Sequence, residues 1–262
     1  MAGRMDGKVA IVTGAASRGE GVGNGKAMAV LFAREGAKVV LVNRSAERAE
    51  DLAKEIADEG GEASVFAGDV VQAETADGMV AAAEDRYGRL DILVNNVGIG
   101  GGGNVEAATE DKWDEVMSVN LKSTMLATRA SIPAMKRAGG GSIINISSIA
   151  GARGLMSDVG AAAYATSKAG MHGFTYSVAA DYAADGIRCN CLIVGSVDTP
   201  MVAYMGAEAR ERRATMVPLG TRGTGWDIGW GAVYLASDES RWVTGAFLPI
   251  DGGLIGLRPW PR

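Results

Sequence analysis

"KVAIVTGAASRGEGVGNGKAMAVLFAREGA", residues 8 to 37, decides how the chain is read. An apolar run leads into a glycine-rich turn, and the helix-like "KAMAVLFAREGA" leads out of it. A strand that turns through glycines into a helix can hold a nucleotide. Glycine lets the backbone approach a pyrophosphate, and the helix N-terminus supplies N–H donors and a partial positive charge. The spacing is irregular, because "SRGEGV" (17–22) separates Gly14 from Gly23 and Gly25. Two readings are open at this point: a working site on a lengthened loop, or a flexible turn that only resembles one.

Working outward, apolar and amphipathic runs alternate to the end of the chain. Strands are predicted at "KVAIVT", "AKVVLVN", "ASVFAG", "LDILVNN", "SIINIS", "IRCNCLIV" and "FLPID". Helices are predicted at "SAERAEDLAKEIADEG", "ETADGMVAAAEDRYG" and, as one long element, "EDKWDEVMSVNLKSTMLATRASIPAMKRAG". Several strands are almost continuously apolar, as expected where helices cover both faces of a parallel sheet. The alternation implies right-handed βαβ units and a doubly wound, mostly parallel seven-stranded α/β sheet. No linker or repeat interrupts it, so one domain over 1–262 is expected. Between about 195 and 224 the helical periodicity breaks in a Met-, Gly- and Arg-rich segment, which is expected to be a lid.

With 47% hydrophobic residues the chain can bury a large core. A net charge of −5 without long charge runs argues against nucleic-acid and anionic-membrane partners. No apolar stretch is long enough to span a bilayer, and "MAGRMDGK" has no hydrophobic core, so a cytoplasmic protein is expected. Cys189 and Cys191 are expected to point apart on their strand. With His172 the only histidine, neither a disulfide nor a metal site is expected.

Further motifs fall at strand ends. "GDV" (68–70) places Asp69 where it can accept a hydrogen bond from an adenine amino group, with Val70 beside it. "NNVG" (95–98) places Asn96 and Gly98 where they can border the adenosine ribose. Tyr164 and Lys168, four apart in "YATSK", share a helix face. An ammonium beside a phenol is expected to lower the phenol's pKa and suit it to proton transfer.

Together these segments resemble the short-chain dehydrogenase/reductase family over about residues 6 to 253. The matching motifs, in the family's order, are T-G…G-N-G, "NNVG", Asn120 in "SVNL", "GSIINISS", "YATSK", "VGSVDTP" and "DGG". The resemblance implies a single-domain Rossmann fold whose NAD(P)-binding half ends near 145, and a working nucleotide site whose loop carries about five extra residues within "SRGEGV". It also implies Tyr164 as the acid/base, Lys168 as its partner and ribose ligand, Ser148 on the substrate oxygen, and Asn120 holding a water of the proton relay. Ser147 is the less favoured serine of its pair. The implied cofactor contacts are Gly14, Gly23, Gly25, Asn43, Asp69, Val70, Asn96, Gly98, Tyr164, Lys168, Gly195 and Thr199, with Thr199 meeting the nicotinamide carboxamide. Val194 stands where the family usually has proline.

At the end of the second strand Asn43 replaces the acidic residue that would repel a 2′-phosphate, and Arg44 follows it. With Arg18 in the lengthened loop adding to Arg44, the expectation tips from NAD toward NADP. Structural alternatives remain beside these roles: Asn120 as a helix kink, Ser148 as a strand-end cap, and His172, Trp226, Trp230 and Trp242 as packing residues. The resemblance further implies an enzyme that interconverts a small-molecule secondary alcohol and a ketone, and a homotetramer formed through the helices carrying Asn120 and Tyr164. The rival readings are a cofactor-binding regulator or scaffold without turnover and, less favoured because of the Y-x-x-x-K spacing, an enoyl reductase.

Overall fold

β1 (Val9–Thr13) is buried along its whole length and pairs in parallel with β2 (Lys38–Asn43) on one side and β4 (Ile92–Asn95) on the other. The computed structural model describes residues 3–17, 19, 21–154 and 160–257. Its main sheet has seven parallel strands in the order β3-β2-β1-β4-β5-β6-β9, with β3 at Glu62–Ala67, β5 at Gly141–Ser148, β6 at Ile187–Val194 and β9 at Phe247–Ile250. The chain builds outward from β1 through β2 to β3, then returns to start again at β4. The crevice between the carboxyl ends of β1 and β4 is therefore the topological switch point where such sheets bind ligands.

Side chains alternate across the sheet. Ala10 and Val12 face a core built with α1 (Asn24–Arg34), α2 (Ala46–Asp58) and α9 (Gly225–Ala236). Val9 and Ile11 face the opposite core, built with α3 (Ala73–Tyr87), α5 (Ser123–Ala138) and α7 (Ala162–Tyr182). With both faces covered, β1 and β6 carry apolar residues at odd and even positions alike.

Two expectations need correction. The long helix over 110–139 is not continuous: α4 (Glu110–Met117) passes into α5 through a π-helical turn, Ser118–Lys122, with Asn120 buried inside it. The extra residue of a π turn re-aims the helix, a feature often found at functional sites. Cys189 and Cys191 do not point apart, because residues two apart on a strand share a face. Both buried thiols are free, Cys189 Sγ accepts from Asn145 Nδ2 at 3.5 Å, and burial pushes each thiol up to about 12. Trp242, expected in core or subunit packing, lies beyond α9 in a turn and is 92% exposed in the single chain, outside the core. Trp226 does pack against the core, with the Arg34 guanidinium 5.4 Å from its ring centre.

The segment 195–224 is gathered at its base by two short strands, β7 (Val197–Asp198) and β8 (Gly223–Thr224), paired in parallel. Between them run a 3-10 turn, Pro200–Met205, and α8 (Gly206–Thr215). Asp198 ties the segment together, accepting Nε and Nη2 of Arg210 at 2.8 and 2.6 Å and Nη1 of Arg222 at 3.4 Å. The remaining short helix, α6 (Ile149–Ala152), follows β5 directly.

Candidate active site

At the switch point a cleft of about 640 Å³ opens, lined by the ends of β1, β2, β3 and β4 and by Thr199–Met201. Asn96 holds its floor: its Nδ2 donates to the carbonyls of Thr13 and Gly14, each at 3.1 Å, and its backbone N–H donates to Thr13 Oγ1 at 3.0 Å. Gly14 has φ +63°, a left-handed conformation that suits glycine. A Cβ on Gly25 would stand 2.1 Å from the Gly14 carbonyl oxygen, so that approach requires glycine outright. The lengthened loop is closed at its base, where Ser17 Oγ accepts the Gly23 N–H at 3.0 Å. The extra residues thus form an excursion between Ser17 and Gly23, and α1 starts at Asn24 as in a shorter loop. Arg18 lies outside the described residues. Gly19 and Gly21 face Pro200, which brings the excursion to the start of the 195–224 segment.

These residues fit a dinucleotide. The first turn of α1 holds no acidic side chain, Gly23, Asn24 and Gly25 line the cleft, and among the described residues the buried Asn24 Oδ1 has no hydrogen-bond partner. At the other end of the cleft stand Asn43, Arg44, Ser45, Arg48, Asp69 and Val70. The Asn43 Nδ2 donates to the Ser45 carbonyl at 3.0 Å, which leaves its Oδ1 for a ligand. Arg44 Nη1 lies 3.8 Å from Asp69 Oδ2, both side chains well exposed, so the pair is loose. Arg48 escaped the sequence reading. Ser45 caps α2 by accepting the Arg48 N–H at 3.4 Å, and that S-x-x-R pattern was the available signal. Gly195 does not line the cleft. A Cβ there would lie 2.4 Å from Asp251 Cα, so close packing accounts for this glycine.

The second cluster sits where β5 meets α7. Lys168 is buried, donates from Nζ to the Ile146 carbonyl at 2.7 Å, and lies 5.8 Å from the Tyr164 ring centre. Removal from water pushes its ammonium down to about 8. The Tyr164 phenol is raised rather than lowered, contrary to the expectation from its lysine neighbour. Burial dominates, opposed by a hydrogen bond with Ser148 and by the charge of Arg213. Ser148 Oγ also accepts the Ala150 N–H at 3.2 Å, so it caps α6 while facing the phenol. Ser147 turns the other way, donating to the Lys168 carbonyl at 2.9 Å and lying 3.0 Å from His172 Nε2. His172 packs edge-on against Phe247, as a structural histidine does.

Asn120 links the two clusters. Its amide is fully engaged: Oδ1 accepts the Ile99 N–H at 2.8 Å, while Nδ2 donates to the Ile99 carbonyl at 3.0 Å and to Ser167 Oγ at 2.9 Å. Gly98 is pressed between them, since a Cβ there would stand 3.3 Å from Lys168 Nζ and 3.5 Å from Asn120 Oδ1. The cofactor cleft and the tyrosine–lysine pair therefore share one wall.

A family profile described as "Enoyl-(Acyl carrier protein) reductase" matches residues 14–255. The 3-oxoacyl-[acyl-carrier-protein] reductase FabG of Thermotoga maritima is 38% identical, over 96% of this chain and 99% of the relative. The chain belongs to the short-chain dehydrogenase/reductase family. A crystal structure from Burkholderia xenovorans, assigned to the short-chain dehydrogenases/reductases, superposes with a TM-score of 0.93 at 38% identity, covering 98% of this chain and 100% of that one. The trans-4-hydroxycyclohexanecarboxylate dehydrogenase of Sinomonas cyclohexanicum is 40% identical, over 95% of this chain and 93% of the relative. This short-chain dehydrogenase/reductase is thus an NAD(P)-dependent oxidoreductase acting between secondary alcohol and ketone. Despite the profile's description, enoyl reduction is not the favoured activity. No helix among the described residues is long and apolar enough to cross a membrane.

Proposed function

We propose that Tyr164 is the acid/base of this enzyme, that Ser148 holds the substrate oxygen, and that the cofactor is NADP(H) rather than NAD(H). The observation that carries the reading is the convergence of the Ser148 hydroxyl, the Tyr164 phenol and the buried Lys168 ammonium beside the cleft wall at Gly98. Gly14, Gly23, Gly25 and Asn24 would hold the pyrophosphate, Asn96 and Gly98 would border the adenosine ribose, Lys168 would hold the nicotinamide ribose, and Thr199 the carboxamide. A nicotinamide bound there would supply hydride transfer to or from the carbon that bears the reacting oxygen.

In reduction, Ser148 and Tyr164 bond to the carbonyl oxygen, and Tyr164 gives it a proton as hydride reaches the carbon. In oxidation the proton passes from the alcohol to Tyr164. Burial keeps the phenol protonated, which suits the reductive direction. Lys168 stabilises negative charge on Tyr164 once the proton has left. Both Asn120 Nδ2 hydrogens are engaged, so a relay water would donate to its main-chain carbonyl, where Thr124 Oγ1 already donates at 3.0 Å, or to the second lone pair of Oδ1.

Support for NADP comes from Arg44 and Arg48 flanking the capped start of α2, where two guanidinium groups can grip a 2′-phosphate and Asn43 stands in place of an acidic residue. The segment 195–224 acts as the lid, the protein works in the cytoplasm, and a homotetramer forms through the outer faces of α5 and α7, where Met125 and Tyr176 are exposed. Fluorescence titration tests the cofactor reading: NADPH is expected to bind at least about 10-fold tighter than NADH, and equal or tighter NADH binding overturns the preference. Tyr164→Phe tests the chemistry, with an expected fall in kcat of about 10³-fold at unchanged cofactor affinity. Unchanged turnover would remove Tyr164 from the reaction.

A further inference from the structure

Four arginines stand on or beside the lid helix α8, and three of them face carboxylates. Arg210 is forked onto Asp198, Arg222 is shared between Asp198 and Glu211, and Arg212 lies 3.7 Å from Glu208 one turn earlier. Arg213 differs. Among the described residues its partners are neutral: Nε donates to Ser196 Oγ at 3.2 Å, and Nη1 lies 3.3 Å from Met205 Sδ.

The anchor at Ser196 fixes where this charge sits. Ser148 is in register with Val194 across β5 and β6, and Ser196 follows two residues later. The Arg213 head is thereby tethered to the same sheet edge that presents Ser148, close enough for its charge to act on the Tyr164 phenol. A half-buried guanidinium is ordinarily paired, because removing it from water is costly unless an anion compensates. With Nε on Ser196 and one Nη1 hydrogen on the weak acceptor Met205 Sδ, Nη2 and the second Nη1 hydrogen remain to meet a carboxylate.

We propose that Arg213 binds a carboxylate carried by the substrate, so that the enzyme acts on hydroxy acids and their keto acids. The acid group docks on the lid helix while the reacting oxygen meets Ser148 and Tyr164. The proposal deepens the alcohol–ketone reading and rests on it. A substrate whose charge bridges lid and sheet edge also draws the lid onto the site. Arg213 then selects the substrate, whereas Arg210 and Arg222 build the lid.

The test compares acids with their own methyl esters on the full-length enzyme, with both NADP and NAD supplied. The probes are 3-hydroxybutyrate, 4-hydroxypentanoate and 4-hydroxycyclohexanecarboxylate in oxidation, and the matching ketones in reduction. At least one acid is expected to exceed its ester by about 10-fold or more in kcat/KM. Arg213→Gln should lower kcat/KM for that acid about 10- to 100-fold more than for the ester, chiefly through KM, and Arg213→Lys should recover part of the difference. Arg212→Gln, on the same helix and exposed, should leave the acid-to-ester ratio unchanged. Esters equal to acids, or a ratio insensitive to Arg213→Gln, overturn the proposal while leaving the alcohol–ketone reading intact. A separate readout is calorimetric binding of each keto acid and keto ester to the enzyme holding oxidised cofactor, which needs no turnover. Acid-selective binding that Arg213→Gln abolishes sustains the proposal even if turnover is absent and the alcohol–ketone reading fails. No acid-selective binding and no acid-selective turnover overturn it.

Discussion

Lys168→Met is expected to make the cofactor-free protein more stable at pH 7 while abolishing turnover. Lys168 is 4% exposed, and its ammonium is pushed down from 10.5 to about 8 by burial. The unfolded chain therefore binds this proton more readily than the folded one. The penalty is full below about pH 8 and fades as pH rises toward 10.5, so the lysine makes wild-type stability climb with pH over that window. From the two pKa values the penalty is about 3 kcal/mol at pH 7 and about 2 kcal/mol at pH 9. Methionine removes the charge but also the bond from Nζ to the Ile146 carbonyl, a loss of about 1–2 kcal/mol. The net gain at pH 7 is about 1–2 kcal/mol, or a Tm higher by a few degrees. Denaturant unfolding at matched protein concentration should show the variant's advantage shrinking by about 1 kcal/mol between pH 7 and pH 9. An advantage that stays constant with pH, or a variant already less stable at pH 7, would refute the account of Lys168 as a strained buried charge kept for function.

Three further outcomes are expected. Arg48→Ala should weaken NADPH binding by about 10- to 30-fold and NADH binding by less than about 2-fold in parallel titrations, since only the 2′-phosphate distinguishes them. Ser17→Ala frees the base of the loop excursion by removing the acceptor of the Gly23 N–H, and both cofactors should bind about 3- to 10-fold more weakly with kcat at saturation little changed. Cys189 and Cys191, buried and with thiols pushed up to about 12, should resist a disulfide reagent in the native protein at pH 8 and react fully once it is unfolded. Rapid labelling without unfolding would contradict their placement beneath α7.

Local pattern carried the architecture. Seven apolar runs separated by amphipathic ones leave little choice but a parallel sheet covered on both faces, because each run must bury both sets of its side chains. The start of α1 at Asn24 was equally legible, since glycines flank it and the helical period resumes at once. Tyr164 and Lys168 could be read as a pair because four residues on a helix return to the same face. The misreading of Cys189 and Cys191 was an error about strand period rather than a limit of the sequence.

Tertiary structure decided the rest, since it depends on contacts between residues far apart in the chain. The π turn at Ser118–Lys122 is stabilised in place by the lock of Asn120 onto Ile99 and Ser167, and no local propensity encodes that pairing. The Tyr164 phenol was expected to fall beside an ammonium, yet desolvation raises it against the pull of Ser148 and Arg213, and desolvation is set by everything packed around the ring. Arg213 is one of four similar residues in a polar stretch. Only the fold pairs the other three with acids, tethers this one to Ser196, and turns its charge toward Tyr164. Period and local turn chemistry were enough to specify the sheet, the glycine turn at the switch point, and the order of Asn120, Ser148, Tyr164 and Lys168 along the chain. Which charges are neutralised, which are buried and which are left facing the reacting oxygen was decided by tertiary structure alone, because burial and ion pairing are properties of the packed chain.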